Sequence, residues 1–187
     1  MIPTEHTSVL DKVIAFADKA HGNQVRKYAN ERYIEHPKRV MKLCSAYTQK
    51  LEVLAAAVLH DVLEDTPVTR NEMVAFLSTV MTEEQASTTV SLVEELTDVY
   101  VKQDYPAWNR RKRKASELER LINTSADSQT IKYADIIDNS EDVVKSDPDF
   151  ARVFLHEYNT MLKKLNKGDQ QLYQKAVQKV TENLKRV

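Results

Sequence analysis

Apolar residues recur at helical spacing along almost the whole chain. From Ser8 to Ala20, the residues Val9, Leu10, Val13, Ile14, Phe16 and Ala17 share one broad face, and Gly22 stands where that helix would end. A polar, loop-like stretch from Asn23 to Glu35 follows. Pro37 then sits just inside a second helix with Val40, Met41, Leu43 and Cys44 as its buried stripe. Leu51 to Leu63 is apolar almost all round, the pattern of a helix at the centre of a fold. Thr66-Pro67 breaks it, and Thr69-Arg70-Asn71-Glu72 reads as a capping box opening a short helix to Val80. Further helices are predicted over Thr82–Thr97, Trp108–Asn123 and Asp127–Lys145, then from Asp147-Pro148-Asp149 through Leu165, and from Asp169 to the end after Gly168. Asp98 to Ala107 reads as a loop. The pattern predicts an all-α, compact multi-helix bundle of about nine to ten helices.

Composition agrees. Two glycines and five prolines in 187 residues leave little material for a turn-rich β architecture. The length suits a single domain over 1–187, with a core over about 8–145 and C-terminal helices over about 149–187. A net charge of −1 gives no general reason to expect nucleic acid or an anionic membrane as partner. The local exception is Arg110-Arg111-Lys112-Arg113-Lys114, open to reading as a solvated helix face or as a contact for an anionic ligand. No apolar run is long enough for a membrane span, and the N-terminus lacks the pattern of a signal peptide, so the expected location is cytoplasmic. Cys44, the single cysteine, excludes an internal disulfide framework and reads as a small buried residue.

One feature conflicts with a purely structural helix. The apolar Leu51–Leu63 segment ends in His60-Asp61-Val62-Leu63-Glu64-Asp65. Polar groups at the end of a buried helix need partners, because each one buried unsatisfied costs about 1–3 kcal/mol. Glu64 stacks over His60 and Asp65 over Asp61, one turn apart. An ion-pair cluster would explain the run; so would a divalent cation, since imidazole with carboxylate suits Mn, Fe, Co, Ni or Zn. Three further pieces bear on the choice: His36-Pro37 at a helix start, Asp135 and Asn139 one turn apart on an otherwise apolar helix, and Ala20-His21-x-x-Gln24-x-Arg26-Lys27 ahead of Tyr33.

The order His … His-Asp … Asp resembles the signature of the HD superfamily of metal phosphohydrolases. The variant His-Asp-Val-Leu-Glu-Asp-Thr at 60–66 is similar to the His-Asp-x-x-Glu-Asp-Thr of RelA/SpoT-type hydrolase domains. Arg26-Lys27, Tyr33-Ile34-Glu35-His36-Pro37, Glu94-Glu95-Leu96-Thr97-Asp98, Arg111-Lys112 and Lys132-x-x-Asp135-x-x-x-Asn139 extend the likeness over about residues 16–143. The resemblance implies hydrolysis of the 3′-pyrophosphate of the alarmone (p)ppGpp, the messenger of the stringent response. It implies His36, His60, Asp61 and Asp135 as ligands of a divalent metal, Mn2+, with Glu64 and Asp65 activating and orienting water. Arg26, Lys27, Tyr33, Arg111, Lys112 and Asn139 would contact the nucleotide. Asn30-Glu31 stands where the family commonly has a glycine, and Ser140 follows Asn139 where the family has leucine. No synthetase or regulatory domain follows, so a stand-alone hydrolase is expected. The partner expected is a small nucleotide, with no nucleic acid and no membrane, and a homo-oligomer stays open. The alternatives are an HD phosphohydrolase acting on another nucleotide (ppApp, NADPH or a nucleoside phosphate) and a non-catalytic nucleotide-binding module. His21 is open to a structural or a site role. His6 and His156 read as surface residues, Tyr105 and Trp108 as core cover, Asp98 as a cap or supporting group, and Asp138 as a solvent-facing carboxylate.

Overall fold

The computed structural model describes residues 3–27 and 29–187. Ten helical segments occur among them: α1 (Thr4–His21), α2 (Glu35–Cys44), α3 (Leu51–Leu59), α4 (Val62–Asp65), α5 (Arg70–Leu77), α6 (Glu83–Leu96), α7 (Arg110–Leu121), α8 (Ala126–Ser146), α9 (Pro148–Leu162) and α10 (Gln170–Leu184). The only β-type pairing among the described residues is an isolated antiparallel bridge between Val25 and Arg32. The fold is all-α, as the periodicity implied. No helix is long and apolar enough to cross a membrane among the described residues.

Two helices organise the rest. In α3 every residue except Glu52 is buried, and α1, α2, α6 and α8 pack around it. In α8, which also meets α2, α6, α9 and α10, burial reaches nearly all round the helix. Such helices place whatever polar groups they carry in the interior, where each needs a partner.

Local chemistry sets most boundaries. The capping box at Thr69 and Glu72 is present, and Thr82 with Gln85 forms another. Asn109, Ser125, Asp147 and Asp169 cap α7, α8, α9 and α10 by accepting a backbone N–H in the first turn. Gly22 closes α1 with φ 56°, a left-handed value that a Cβ would oppose. Gly168 lies against α8, where a Cβ would come within 2.7 Å of the Thr130 nitrogen. α10 packs on α8 and α9, and buried Asn183 donates from Nδ2 to the Ser140 carbonyl at 2.9 Å. The serine at 140 thus has a polar partner supplied by the last helix.

Helix ends shift by up to three residues from the periodic reading, as where α5 stops at Leu77, α7 starts at Arg110 and α9 stops at Leu162, and two further differences have a local cause. α1 begins at Thr4, one turn before its apolar stripe, because the Pro3 carbonyl accepts from His6 and Thr7. The Leu51–Leu63 helix divides at His60–Asp61 into α3 and α4. There the His60 ring Nδ1 bonds the Ala57 carbonyl at 2.9 Å, occupying an acceptor that an uninterrupted helix offers to Asp61.

Candidate active site

The break between α3 and α4 turns His60 and Asp61 toward the first turn of α2 and the middle of α8. His36, fully packed in α2, brings its Nε2 to 3.2 Å from His60 Nε2. Asp135 Oδ1 from α8 lies 3.3 Å from His36 Nε2 and 3.8 Å from His60 Nε2. Asp61 Oδ2 lies 3.6 Å and 3.3 Å from the same two nitrogens. The four side chains that the motif order singles out therefore meet, and His36, His60 and Asp135 form a buried group able to hold a metal ion.

The donor set fits a cation on physical grounds. The far nitrogen of each ring is already bonded: His36 Nδ1 to Asp138 Oδ2 at 2.7 Å, and His60 Nδ1 to the Ala57 carbonyl. With Nδ1 as the donor on both rings, two Nε2 lone pairs face each other, and only positive charge between them relieves the repulsion. First-row metal bonds of about 2.0–2.2 Å set neighbouring ligand atoms about 3.0–3.6 Å apart, close to the separations found. The electrostatics point the same way. Burial works against charge on His60, but Asp61 and Asp135 outweigh it and lift its pKa to about 9. Burial also raises the Asp135 carboxyl, yet Lys132 and the two imidazoles hold it well below the usual range. The Asp61 carboxyl is held low against burial by His60 and His36.

Asp61 and Asp135 open onto a cavity of about 930 Å³, a size suited to a nucleotide, with the two histidines buried behind them. Glu64 and Asp65 stand in its wall. Loss of solvation, with Asp98 and Asp61 close by, raises the Glu64 carboxyl to about 7, even though the side chain is open to the cavity. Its Oε2 accepts the Asp98 N–H at 3.0 Å, and Lys114 Nζ reaches Asp98 Oδ2 at 2.8 Å, so Asp98 is a supporting group. The Tyr33 hydroxyl lies 2.7 Å from both Asp61 Oδ2 and Asp65 Oδ2. One phenolic proton serves one of these contacts at a time. Burial raises the Asp65 carboxyl, and the Tyr33 hydroxyl works against that rise.

The end of α1 braces this corner. His21 Nδ1 and Gln24 Oε1 are 2.9 Å apart, Gln24 donates to the Asp65 carbonyl at 2.7 Å, and the His21 ring stacks on Tyr33 with centroids 4.4 Å apart. His21 is thus a buried support beside the site.

Of the other residues singled out by sequence, Arg26, Tyr33, Asn139 and Arg111 line the cavity. Arg26 Nη2 donates to Asn139 Oδ1 at 2.7 Å and to Asp142 Oδ2 at 2.9 Å, and Asn139 donates to Asp135. Lys27 and Lys112 are not in the wall. The Lys27 ammonium stands over the Phe150 ring at 5.5 Å, and that of Lys112 over Trp108 at 3.9 Å. From the basic cluster it is Arg110, Arg111 and Lys114 that reach the wall, Arg110 being paired with Glu157 at 2.6 Å. Tyr105 and Trp108 pack on each other and on Tyr100.

Asp138 corrects the sequence reading. It is 8% exposed rather than solvent-facing, because the track beside Asp135 on an almost fully enclosed helix faces α2, where His36 and Arg39 meet it. Lys132, 2.9 Å from Asp135 Oδ2, stands three residues before it and was visible as a helical i, i+3 pair. The α9 contribution to the wall, Phe154, Tyr158 and Met161 with exposed His156 at the rim, had no local signal, since only tertiary packing brings α9 there.

Comparison with known proteins follows the same lines. An HD domain family model matches residues 14–165. A probable guanosine-3′,5′-bis(diphosphate) 3′-pyrophosphohydrolase of Mycoplasma pneumoniae is 26% identical over 141 residues, covering 72% of this chain and 18% of that protein. SpoT of Escherichia coli K12, a bifunctional (p)ppGpp synthase/hydrolase, is 38% identical over 72 residues, covering 38% of this chain and 10% of that protein. The chain thus spans less than a fifth of the length of these bacterial relatives. The MESH1 guanosine-3′,5′-bis(diphosphate) 3′-pyrophosphohydrolase of Danio rerio is 28% identical over 146 residues, covering 76% of this chain and 73% of that protein. A solved structure of a metazoan SpoT ortholog, described as hydrolysing ppGpp and acting in starvation responses, is similar with TM-score 0.75 at 22% identity. The likeness covers 100% of this chain and 97% of that one.

Proposed function

The chain belongs to the HD domain family, and on that premise we propose that it hydrolyses the 3′-pyrophosphate of ppGpp or pppGpp, giving GDP or GTP and pyrophosphate. The observation that carries the proposal is the meeting of His36, His60, Asp61 and Asp135, of which the two aspartates open onto a nucleotide-sized cavity whose wall also carries Glu64, Asp65 and several cations. The names of the curated relatives supply the substrate class.

In this proposal the four residues hold one divalent ion, Mn2+. When bound, that ion supplies Lewis-acid polarisation of the phosphate and makes the attacking water more acidic. Water adds at the phosphorus next to the ribose 3′-oxygen, the bond to that oxygen breaks, and pyrophosphate leaves. Glu64 takes a proton from the water and returns it to the 3′-oxygen, a role suited to a carboxyl raised to about 7. Asp65, tied to Asp61 through the Tyr33 hydroxyl, orients the water.

Arg26, Tyr33, Asn139 and Arg111 are the proposed nucleotide contacts. Arg111 makes no ion pair among the described residues, so its guanidinium is available to phosphate. Lys27 and Lys112, outside the wall, act on a highly anionic substrate through their field. The same reading has a single domain work in the cytoplasm on a free nucleotide rather than a nucleic acid, and it is compatible with self-association.

The test is incubation with Mn2+ and a panel of ppGpp, pppGpp, ppApp, NADPH and GTP, with product analysis. The expected result is pyrophosphate with GDP or GTP from the guanosine alarmones, abolished by Asp61→Ala. Orthophosphate as the product, or turnover of another member of the panel with none of ppGpp, would overturn the proposal.

A further inference from the structure

Beneath the four converging residues lies a second layer that the motif order does not announce. Asp138, buried on α8, accepts from His36 Nδ1 on one oxygen at 2.7 Å. Arg39, one turn further along α2, donates from Nε to Asp138 Oδ1 at 2.6 Å and from Nη2 to Oδ2 at 3.0 Å. The two parallel bonds fix both the position and the plane of the carboxylate. Arg39 Nη1 reaches Glu31 at 2.7 Å, in the irregular segment between α1 and α2 that also carries Arg26. Arg26 lies 2.9 Å from Asp142, a residue one turn beyond Asp138. A single polar chain therefore runs from that segment through Arg39 and Asp138 to the imidazole of His36.

A buried carboxylate facing the far side of an imidazole does two things. It settles which ring nitrogen carries the proton, and it makes the other nitrogen a stronger electron-pair donor. The 2.7 Å contact at Nδ1 commits His36 Nε2 to face His60, Asp61 and Asp135 with a free lone pair. Asp138 is itself committed by Arg39. Without the guanidinium, a carboxylate with this little solvent contact would lack a fixed partner for its second oxygen.

We propose that Asp138 is a positioning residue of the metal centre, holding His36 through Nδ1, and that Arg39 acts through Asp138 by locking its carboxylate. The proposal rests on the metal reading above and adds to it two residues that touch neither the ion nor the nucleotide. A plain structural role, an ion pair tying α2 to α8, uses the same contacts and predicts a different result: lower stability of the metal-free protein, with the affinity of the remaining folded protein for metal unchanged.

The experiment titrates the full chain with Co2+, following its visible absorption, and with Mn2+ by calorimetry, alongside thermal melts of metal-free protein. Asp138→Ala is expected to weaken metal binding about 10- to 100-fold, the usual range for loss of such an outer partner, and to shift the Co2+ spectrum. If Asp138→Ala fails to fold, Asp138→Asn decides the matter. It keeps an acceptor for Nδ1 and loses the charge, and a loss of about threefold or more with a spectral shift is expected. Arg39→Met should weaken binding less than Asp138→Ala, and the double variant should match Asp138→Ala alone, because the two residues act in series. Wild-type affinity and spectrum in the Asp138 variants would overturn the proposal for Asp138. Additive losses in the double variant would overturn the role given to Arg39. A wild-type chain that binds neither ion would instead overturn the metal reading on which both stand.

Discussion

Removal of one hydroxyl tests how the acids around the metal centre are held. Tyr33→Phe keeps the ring that stacks on His21 and deletes only the oxygen lying 2.7 Å from both Asp61 and Asp65. A hydrogen bond to a charged group contributes about 1.5–3 kcal/mol, and an unsatisfied buried acceptor forfeits a similar amount. The phenol's single proton means that one such bond is lost at a time. The second contact loses the phenol oxygen as well. With the bridge gone, Asp61 is no longer fixed against the imidazoles and Asp65 no longer shares its orientation. The expected loss is therefore one charged hydrogen bond, about 10- to 150-fold in kcat/KM. The assay is pyrophosphate release from ppGpp at saturating Mn2+ and at a series of Mn2+ concentrations. Far-UV circular dichroism should be unchanged, because the ring still fills its place. A kcat/KM within twofold of wild type at every metal concentration would refute the idea that Tyr33 fixes these two acids.

Other expectations follow from single contacts. Gly168→Ala should destabilise the fold by about 1–3 kcal/mol, seen as a lower Tm, because the added Cβ meets the buried Tyr133 ring at 2.6 Å and the backbone nitrogen of Thr130 at 2.7 Å. The Cys44 thiol, fully buried and pushed up to about 12 by that burial and by Asp135, stays protonated through pH 8 and loses its proton only as pH climbs toward 12. Alkylation at pH 8 should therefore be negligible in native protein and rapid in denaturant. Arg111→Ala should raise KM for ppGpp several-fold, with a reduced salt dependence, whereas Lys112→Ala, whose ammonium sits over Trp108, should change KM by less than twofold.

What could be read from the sequence divides by the range of the forces involved. Helix existence was legible because burial imposes a 3.6-residue period, and the Thr69 box was legible because capping is a contact within four residues. The division at His60–Asp61 was not, since it arises where one imidazole competes for a backbone carbonyl of its own turn. The four converging residues were legible only as an ordered set, as His36 and Asp135 lie on different helices from His60 and their meeting is a tertiary event. Asp138 was misread because a carboxylate next to a site aspartate is ordinarily solvated. Only the enclosure of α8 on nearly every side shows that this one cannot be. Lys27 and Lys112 stand beside residues that do reach the cavity, and successive side chains point in different directions along an irregular segment as along a helix, so a dipeptide motif does not say which member enters. The part played by α9 was out of reach of any local pattern.

The most direct test of the central claim is a crystal structure of the chain with Mn2+, with anomalous diffraction used to locate the ion. The account predicts one peak within bonding distance, about 2.0–2.4 Å, of His36 Nε2, His60 Nε2, Asp61 and Asp135, with Glu64 and Asp65 facing it across the cavity. A peak elsewhere on the molecule, or none at millimolar Mn2+ with these side chains still gathered, would contradict it.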